Sequence, residues 1–325
     1  MRKIKFLLIG LSVVSLCAWE FVGASNKTSL KTLQNKPGEK INSIEQLGNT
    51  IAIPYLEIPF TPHKENIVTH VGYSLLYNEA YEQASWVAYE MDATETHKVF
   101  ERSNRFYPDP KVKTGTSTTE DYTHSGYDRG HLAPAADMEW SATAVAESFY
   151  YSNMSPQLAS FNRGIWKHLE ELVRTWAVEN EDIYIVTGPI LTSDLPRIGI
   201  HRVAVPKYFY KVILDYRLPN VKAIGFILPN EGSNQNLQDF AVSIDKVEEV
   251  TGLNFFPLLP DKDENELEAN VCIPCWNWTA MHHQTHGGNG PKKNIATQCI
   301  GITKAGNRCK RMTTNPSGRC YQHLN

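Results

Sequence analysis

Tyr127-Asp128-Arg129-Gly130-His131-Leu132-Ala133-Pro134-Ala135-Ala136-Asp137-Met138 sets an acid, a guanidinium, a glycine and an imidazole in four consecutive positions, within a segment otherwise dominated by apolar and small residues. Histidine has an ordinary pKa near neutrality, so His131 can take a proton from water at working pH. Arg129 presents a planar fork of donors that matches a phosphate. Gly130 is expected to let a bulky substrate come close to the backbone. Pro134 marks where a strand through this box would stop. Alone, the tetrapeptide reads more readily as a surface turn with an ion pair and an idle histidine, since short motifs recur by chance. The residues downstream decide between the two.

Residues 153–174 read Asn-Met-Ser-Pro-Gln-Leu-Ala-Ser-Phe-Asn-Arg-Gly-Ile-Trp-Lys-His-Leu-Glu-Glu-Leu-Val-Arg. Ile165, Leu169, Leu172 and Trp176 recur as one apolar stripe, which predicts a helix over 161–178. At about 100° per residue, Asn162, Glu170 and Arg174 fall within roughly 120° of arc on another side. One rigid edge would then carry a neutral oxygen ligand, a carboxylate and a guanidinium, suited to face a strand bearing His131. Taken singly, Asn162 is an ordinary helix-start residue, and Glu170 with Arg174 is an i,i+4 surface pair.

Taken together, these pieces are specific. The Asp-Arg-Gly-His box, then Asn-x-Ser-Pro-Gln, then Asn-x-Gly-x-Trp-x-x-Leu-Glu-x-x-x-Arg resembles the DNA/RNA non-specific endonuclease family, the sugar-non-specific nucleases with a ββα-metal (His-Me finger) site. Residues 68–91, 186–189, 205–207 and 251–256 resemble other segments of that family, so the likeness covers residues 50–270. It implies Mg²⁺-dependent hydrolysis of DNA and RNA with little sequence preference, since such chemistry addresses only phosphates. By the resemblance, His131 is the general base, Asn162 the sole direct protein ligand of Mg²⁺, and Glu170 holds water around the ion. Arg129 and Arg174 bind the phosphate, and Asn153 and Gln157 support the site by hydrogen bonding. Asp128 is grouped with the substrate-binding residues, anchoring the loop or orienting a neighbour. An arginine near Phe106-Tyr107-Pro108-Asp109-Pro110 contacts phosphate in the family; spacing does not choose between Arg102 and Arg105. Mn²⁺ suits the same oxygen ligands. The rival readings are a binding protein that kept the fold, and a phosphodiesterase with a narrower target.

The rest of the chain frames this domain. Arg2, Lys3 and Lys5, the apolar run 6–14 and Val22-Gly23-Ala24 read as a secretory signal over 1–24, so export to the periplasm or the medium is expected. The apolar run is short for a membrane span, and Leu16 argues against lipid attachment at Cys17. Residues 25–49 are polar and read as a loosely ordered leader. The formal charge is −3; without the signal it is −5, and no acidic residue follows Glu268. Seven lysines and arginines from Lys292 onward leave −12 on residues 25–291, so phosphate affinity must be local. Strands are predicted over 66–77, 84–89, 183–186, 203–216 and 221–228, and helices over 142–151 and 240–251 with Gly252 as cap. Strands and helices mix without βαβ regularity. The class is therefore α+β, which the family likeness specifies as a central antiparallel sheet flanked by helices.

Behind the domain, 271–297 reads as a linker holding Cys272-Ile273-Pro274-Cys275, expected to be a disulfide staple. His282, His283 and His286 are given no role there, like His124, His168 and His201 in the domain. Residues 298–325 carry Cys299, Cys309, Cys320 and His323, a zinc complement for a basic segment too short to fold on apolar burial. Disulfides are the competing reading in an exported chain, but they leave one odd thiol.

Overall fold

The computed structural model describes residues 53–280, with the short antiparallel pair Thr297-Gln298 and Met312-Thr313 beyond them. The signal, the leader, His282, His283, His286 and the set Cys299, Cys309, Cys320 and His323 lie outside the described residues. Along the chain run β1 (Ile67–Thr69), β2 (Ser74–Asn78), β3 (Gln83–Asp92), α1 (Thr119–Tyr122), β4 (Asp128–His131), α2 (Ala142–Glu147), β5 (Met154–Gln157), α3 (Trp166–Asn180) and β6 (Asp182–Pro189). There follow β7 (Arg197–Ile198), β8 (Val203–Ala204), β9 (Tyr208–Asp215), β10 (Lys222–Pro229), β11 (Ala241–Val242), α4 (Ile244–Thr251) and α5 (Asp261–Ala269).

Seven strands form one antiparallel sheet in the order β1-β2-β3-β6-β9-β10-β11. The class is α+β, as expected. The span 66–77 is two strands rather than one, because the chain turns where His70 N–H donates to the Tyr73 carbonyl (2.8 Å). β9 and β10 pair from Asp215–Lys222 to Tyr208–Pro229, and Leu218–Pro219 in their turn is cis. Helix α4 begins at Ile244, four residues later than expected. Ser243 Oγ caps its first turn from Lys246 N–H (3.2 Å), and residues 241–242 pair with β10 instead. Gly252 ends α4 at φ 71°, a conformation open to glycine at little cost.

Because side chains alternate along a strand, the sheet presents two faces with different neighbours. One packs Phe209, Ile213, Ile224 and Phe226 against the stripe Ile165, Leu169, Leu172 and Trp176 of the 161–180 segment. The other packs Tyr210, Val212 and Leu214 against Ile244 and Val247 of α4 and against Phe255 and Phe256. The segment read as a linker joins the first core at its start. Trp276 is buried, its ring 4.5 Å from that of Trp176, and Trp176 Nε1 donates to the Asn277 carbonyl (2.6 Å). Cys272 and Cys275 form a disulfide beside it.

Candidate active site

β4 and β5 form a separate two-stranded ladder, from Asp128–Gln157 to His131–Met154, and the chain then enters α3. This is a β-β-α unit. The predicted helix over 161–178 differs at its start, where Phe161–Ile165 is a π-type turn with Gly164 at φ −107°, ψ −117°. The Gly164 backbone is not helical and the chain kinks there, so Asn162 does not reach its place by regular 100° steps. A side-chain contact brings it there. Asn162 Nδ2 donates to Asp128 Oδ2 (2.9 Å), while Arg163 Nε and Nη2 donate to the same carboxylate (2.8 and 2.7 Å). Because a carboxylate only accepts here, the Asn162 amide is oriented with Oδ1 turned away from Asp128.

A second tie closes the other end. Arg174 Nη1 donates to Asp137 Oδ1 (2.7 Å), and Asp137 Oδ2 accepts from the Tyr89 hydroxyl (2.7 Å). Residues 128 and 137 on one segment are thus fastened to 162 and 174 on the other. His131 and Glu170 lie within the stretch these ties bracket.

His131 is packed against aromatic rings, with centroids 5.0 Å from Phe149 and 5.9 Å from Phe106, and its buried Nε2 has no hydrogen-bond partner among the described residues. Burial, with repulsion from the Arg102 charge added, pulls its pKa down to about 3. The imidazole is therefore neutral at ordinary pH, the form that can accept a proton, but the same burial makes it a weaker base than the near-neutral histidine expected from the sequence. Asn153 fixes the chain just after it: Oδ1 accepts from Ala133 N–H, and Nδ2 donates to the Ala133 and Ser148 carbonyls, all at 2.9 Å.

The two arginines that spacing left equivalent are separated by the fold. Arg102 lies 5.4 Å above the Phe149 ring that also meets His131, with its Nε donating to Asn104 Oδ1 (2.8 Å). Arg105 is exposed and makes no ion pair among the described residues. Arg129 donates from Nε to the Tyr151 hydroxyl (3.1 Å) and stands 5.3 Å over Phe106, on the His131 side of β4.

Several expected roles change. Asp128 faces Asn162 and Arg163 rather than a substrate; both its oxygens are engaged, so it orients rather than binds. Burial raises its pKa, but the hydrogen bonds from Arg163 and Asn162 more than offset that and leave it below the ordinary value. Arg174 has a protein carboxylate as its first partner, leaving only its other donors for a phosphate. Gly130 makes room for the protein, not the substrate: a Cβ there would sit 2.1 Å from Gln157 Oε1. Gln157 fills that space, and neither atom of its buried amide has a hydrogen-bond partner among the described residues. His201, given no role, donates from Nδ1 to Asp121 Oδ2 (2.7 Å).

The motif reading passed over the aromatic setting of Phe106, Phe149 and Tyr151, and over Lys211. The signal for Lys211 was present: it is the one charge inside Tyr208-Phe209-Tyr210-Lys211-Val212-Ile213-Leu214, in step with Phe209 and Ile213.

The donors available fit a hard divalent cation. Asn162 offers a neutral oxygen already turned from its neighbours, and the half-buried Glu170 carboxylate accepts no hydrogen bond among the described residues. Oxygen ligands of this kind, few in number, suit Mg²⁺, which keeps most of its water.

Comparison with known proteins agrees with this geometry. The pattern described as DNA/RNA non-specific endonuclease matches residues 57–262. Nuclease EXOG, mitochondrial, of Danio rerio is 35% identical over 218 residues, covering 61% of this chain and 63% of that protein. Nuclease C1 of Cunninghamella echinulata var. echinulata is 38% identical over 205 residues, 58% of this chain and 81% of its own. The chain thus spans a little under two thirds of the mitochondrial relative. A solved structure titled as the EndoG/EndoGI complex aligns with a TM-score of 0.58 at 30% identity, over 66% of this chain and 91% of that one. The matched span holds β1 through α4, including the β-β-α unit with its two ties, and on that ground the chain belongs to the DNA/RNA non-specific endonuclease family.

Proposed function

We propose that the protein is a Mg²⁺-dependent endonuclease that hydrolyses phosphodiester bonds of DNA and RNA with little sequence preference. The observation that carries this reading is the pair of ties, Asp128 to Asn162 and Asp137 to Arg174, which hold a neutral, unpartnered His131 on a segment fastened to the one bearing Asn162 and Glu170.

In this reading His131 takes the proton from the attacking water, having neither charge nor competing partner to prevent it. Arg129 and Arg102 hold the phosphate from the same aromatic patch, where weak hydration of guanidinium suits both a ring face and an anion. Asn162 Oδ1 would hold the cation directly and Glu170 through intervening water. A divalent cation there would neutralise charge on the phosphoryl and departing oxygens. Asp128 keeps the Asn162 amide in the required orientation. Mn²⁺ would suit the same oxygens. Export by residues 1–24, and a basic zinc-holding tail that adds affinity for nucleic acid, belong to the same proposal.

The test is degradation of supercoiled plasmid and of RNA by the purified protein, with Mg²⁺ and with EDTA, beside His131→Ala. Metal-dependent cutting should fall by about 10²- to 10⁴-fold in the variant, the usual contribution of a positioned base. A folded wild type that cuts no nucleic acid with Mg²⁺ or Mn²⁺ would end the reading.

A further inference from the structure

Behind the sheet, on the face opposite α3, α4 packs Ile244 and Val247 inward, and Leu267 of α5 packs against the same layer. Asp245 is left exposed and Glu248 half-buried on α4. One carboxylate oxygen from each of these two, and one from Glu268 of α5, all lie within 4.8 Å of one another. Surface carboxylates gather without a ligand often enough that Asp245 and Glu248 alone signify little. Glu268 is different in kind.

Glu268 is the one buried residue of α5, at 5% exposure, while the leucine beside it stays half-buried. Its Oε1 is shut off from water and has no hydrogen-bond partner among the described residues. A carboxylate in that position is costly unless a positive group meets it. No lysine, arginine or histidine among the described residues forms an ion pair with it. The charged side chains around it are Glu248, Glu264 and Asp245, all acidic. Lys246, next to Asp245 in the chain, pairs with Glu249 instead (2.7 Å). Glu248 is held in place, its Oε1 accepting the Phe255 N–H (2.8 Å), and makes no other hydrogen bond among the described residues.

Only a proton or a cation relieves such a set. Carboxylates without nitrogen or sulfur select a hard cation, and their number separates the two common ones. Mg²⁺ sheds water reluctantly and is held through one or two carboxylates. Ca²⁺ takes several, singly or in bidentate fashion, at about 2.3–2.6 Å and with flexible geometry. Oxygens on opposite sides of a Ca²⁺ are then about 5 Å apart, so the spacing already present suits one ion. Water would complete the shell where Asp245 is exposed. We propose that Asp245, Glu248 and Glu268 bind Ca²⁺, and that this ion clasps α5 to α4. The site lies on the sheet face away from α3, so it serves stability rather than cleavage, and it stands independently of the nuclease reading.

The experiment uses the full chain, stripped with EDTA and dialysed at pH 8. Ca²⁺ is titrated calorimetrically into the wild type, Glu268→Gln, Asp245→Asn and Asn162→Ala, and Tm is followed with and without the ion. The wild type should bind with a Kd of about 10⁻⁴ M, so Ca²⁺ at about a hundred times that concentration should raise Tm by about 5 °C or more. Glu268→Gln should lose both the binding and the rise. Asp245→Asn, at an exposed position outside the core, should weaken binding by about tenfold, and it decides the question should Glu268→Gln not fold. Asn162→Ala, which removes the ligand assigned to the catalytic cation, should leave the rise intact. A wild type whose Tm ignores Ca²⁺ overturns the proposal, since a proton then settles the cluster. So does a rise that survives in Glu268→Gln or stands undiminished in Asp245→Asn. A rise lost in Asn162→Ala also overturns it, because the stabilising ion is then the catalytic one.

Discussion

The two faces of the seven-stranded sheet are made by the same strands, yet they are filled on different rules. Behind β9, toward α4, alternate residues Tyr210, Val212 and Leu214 meet an apolar layer of Ile244, Val247, Phe255 and Phe256. In front, toward α3, the alternates are Phe209, Lys211 and Ile213, and next to them lie Glu170, Asp137 and Arg174. One face is a core. The other is a core that has admitted charge: Lys211 and the Asp137–Arg174 pair toward the unit carrying His131, and the Asp215–Lys222 pair at the far end of β9. The difference teaches that the sheet's front was shaped by the site as well as by packing, since charges buried for stability alone are usually a net cost.

Substitutions can break or sharpen this contrast. Among these, the largest effect on rate should come from Asp128→Ala. It removes the acceptor that orients Asn162, so the catalytic rate should fall by about 10- to 100-fold, the range for groups that orient a metal ligand, with little change in melting temperature. Comparable loss of rate and fold together would place Asp128 in the core rather than the site. Next, Asp137→Ala should cost about 3 to 5 kcal/mol by denaturant unfolding, because it leaves the Arg174 charge buried and unpaired. Leu214→Ala behind the sheet should cost about 2 to 5 kcal/mol as a cavity, with the activity per folded molecule unchanged. If Leu214→Ala alters that specific activity, the division between the faces is wrong.

Another effect shows only in acid. The folded pKa of His131, about 3, lies below its unfolded value of 6.5, so between these values the unfolded chain binds the extra proton. His131 therefore contributes stability above pH 6.5 that is lost as pH falls toward 3. His131→Gln should flatten the decline of stability over this window; an unchanged slope in urea titrations would show that the imidazole is not held neutral. Least of all, Ser243→Ala should cost about 1 kcal/mol through the lost cap of α4, with cleavage unaffected.

Much of this was legible in the chain. The stripe Ile165, Leu169, Leu172 and Trp176 was read correctly because helical periodicity is local. The β9–β10 hairpin was legible for the same reason, with two apolar runs and a short proline-bearing turn between them. Asn162 was named from its motif, but its orientation came from Asp128, 34 residues away, across a kink at Gly164 that regular periodicity misses. Arg102 and Arg105 could not be told apart, because their difference is which of them meets the Phe149 ring. Gly130 was read toward substrate because nothing in the sequence says that Gln157 pairs across from Asp128 and covers the glycine.

By itself the sequence determined the residue types the chemistry needs, their order, and the elements that carry them, since periodicity and turn chemistry act over a few residues. Only the tertiary structure decided which carboxylate orients an amide, which arginine stands by the imidazole, and that a lysine in an apolar strand lies against the Trp166 ring. Those pairings join residues tens of positions apart, and the field that couples them depends on burial, which exists only once the chain has folded.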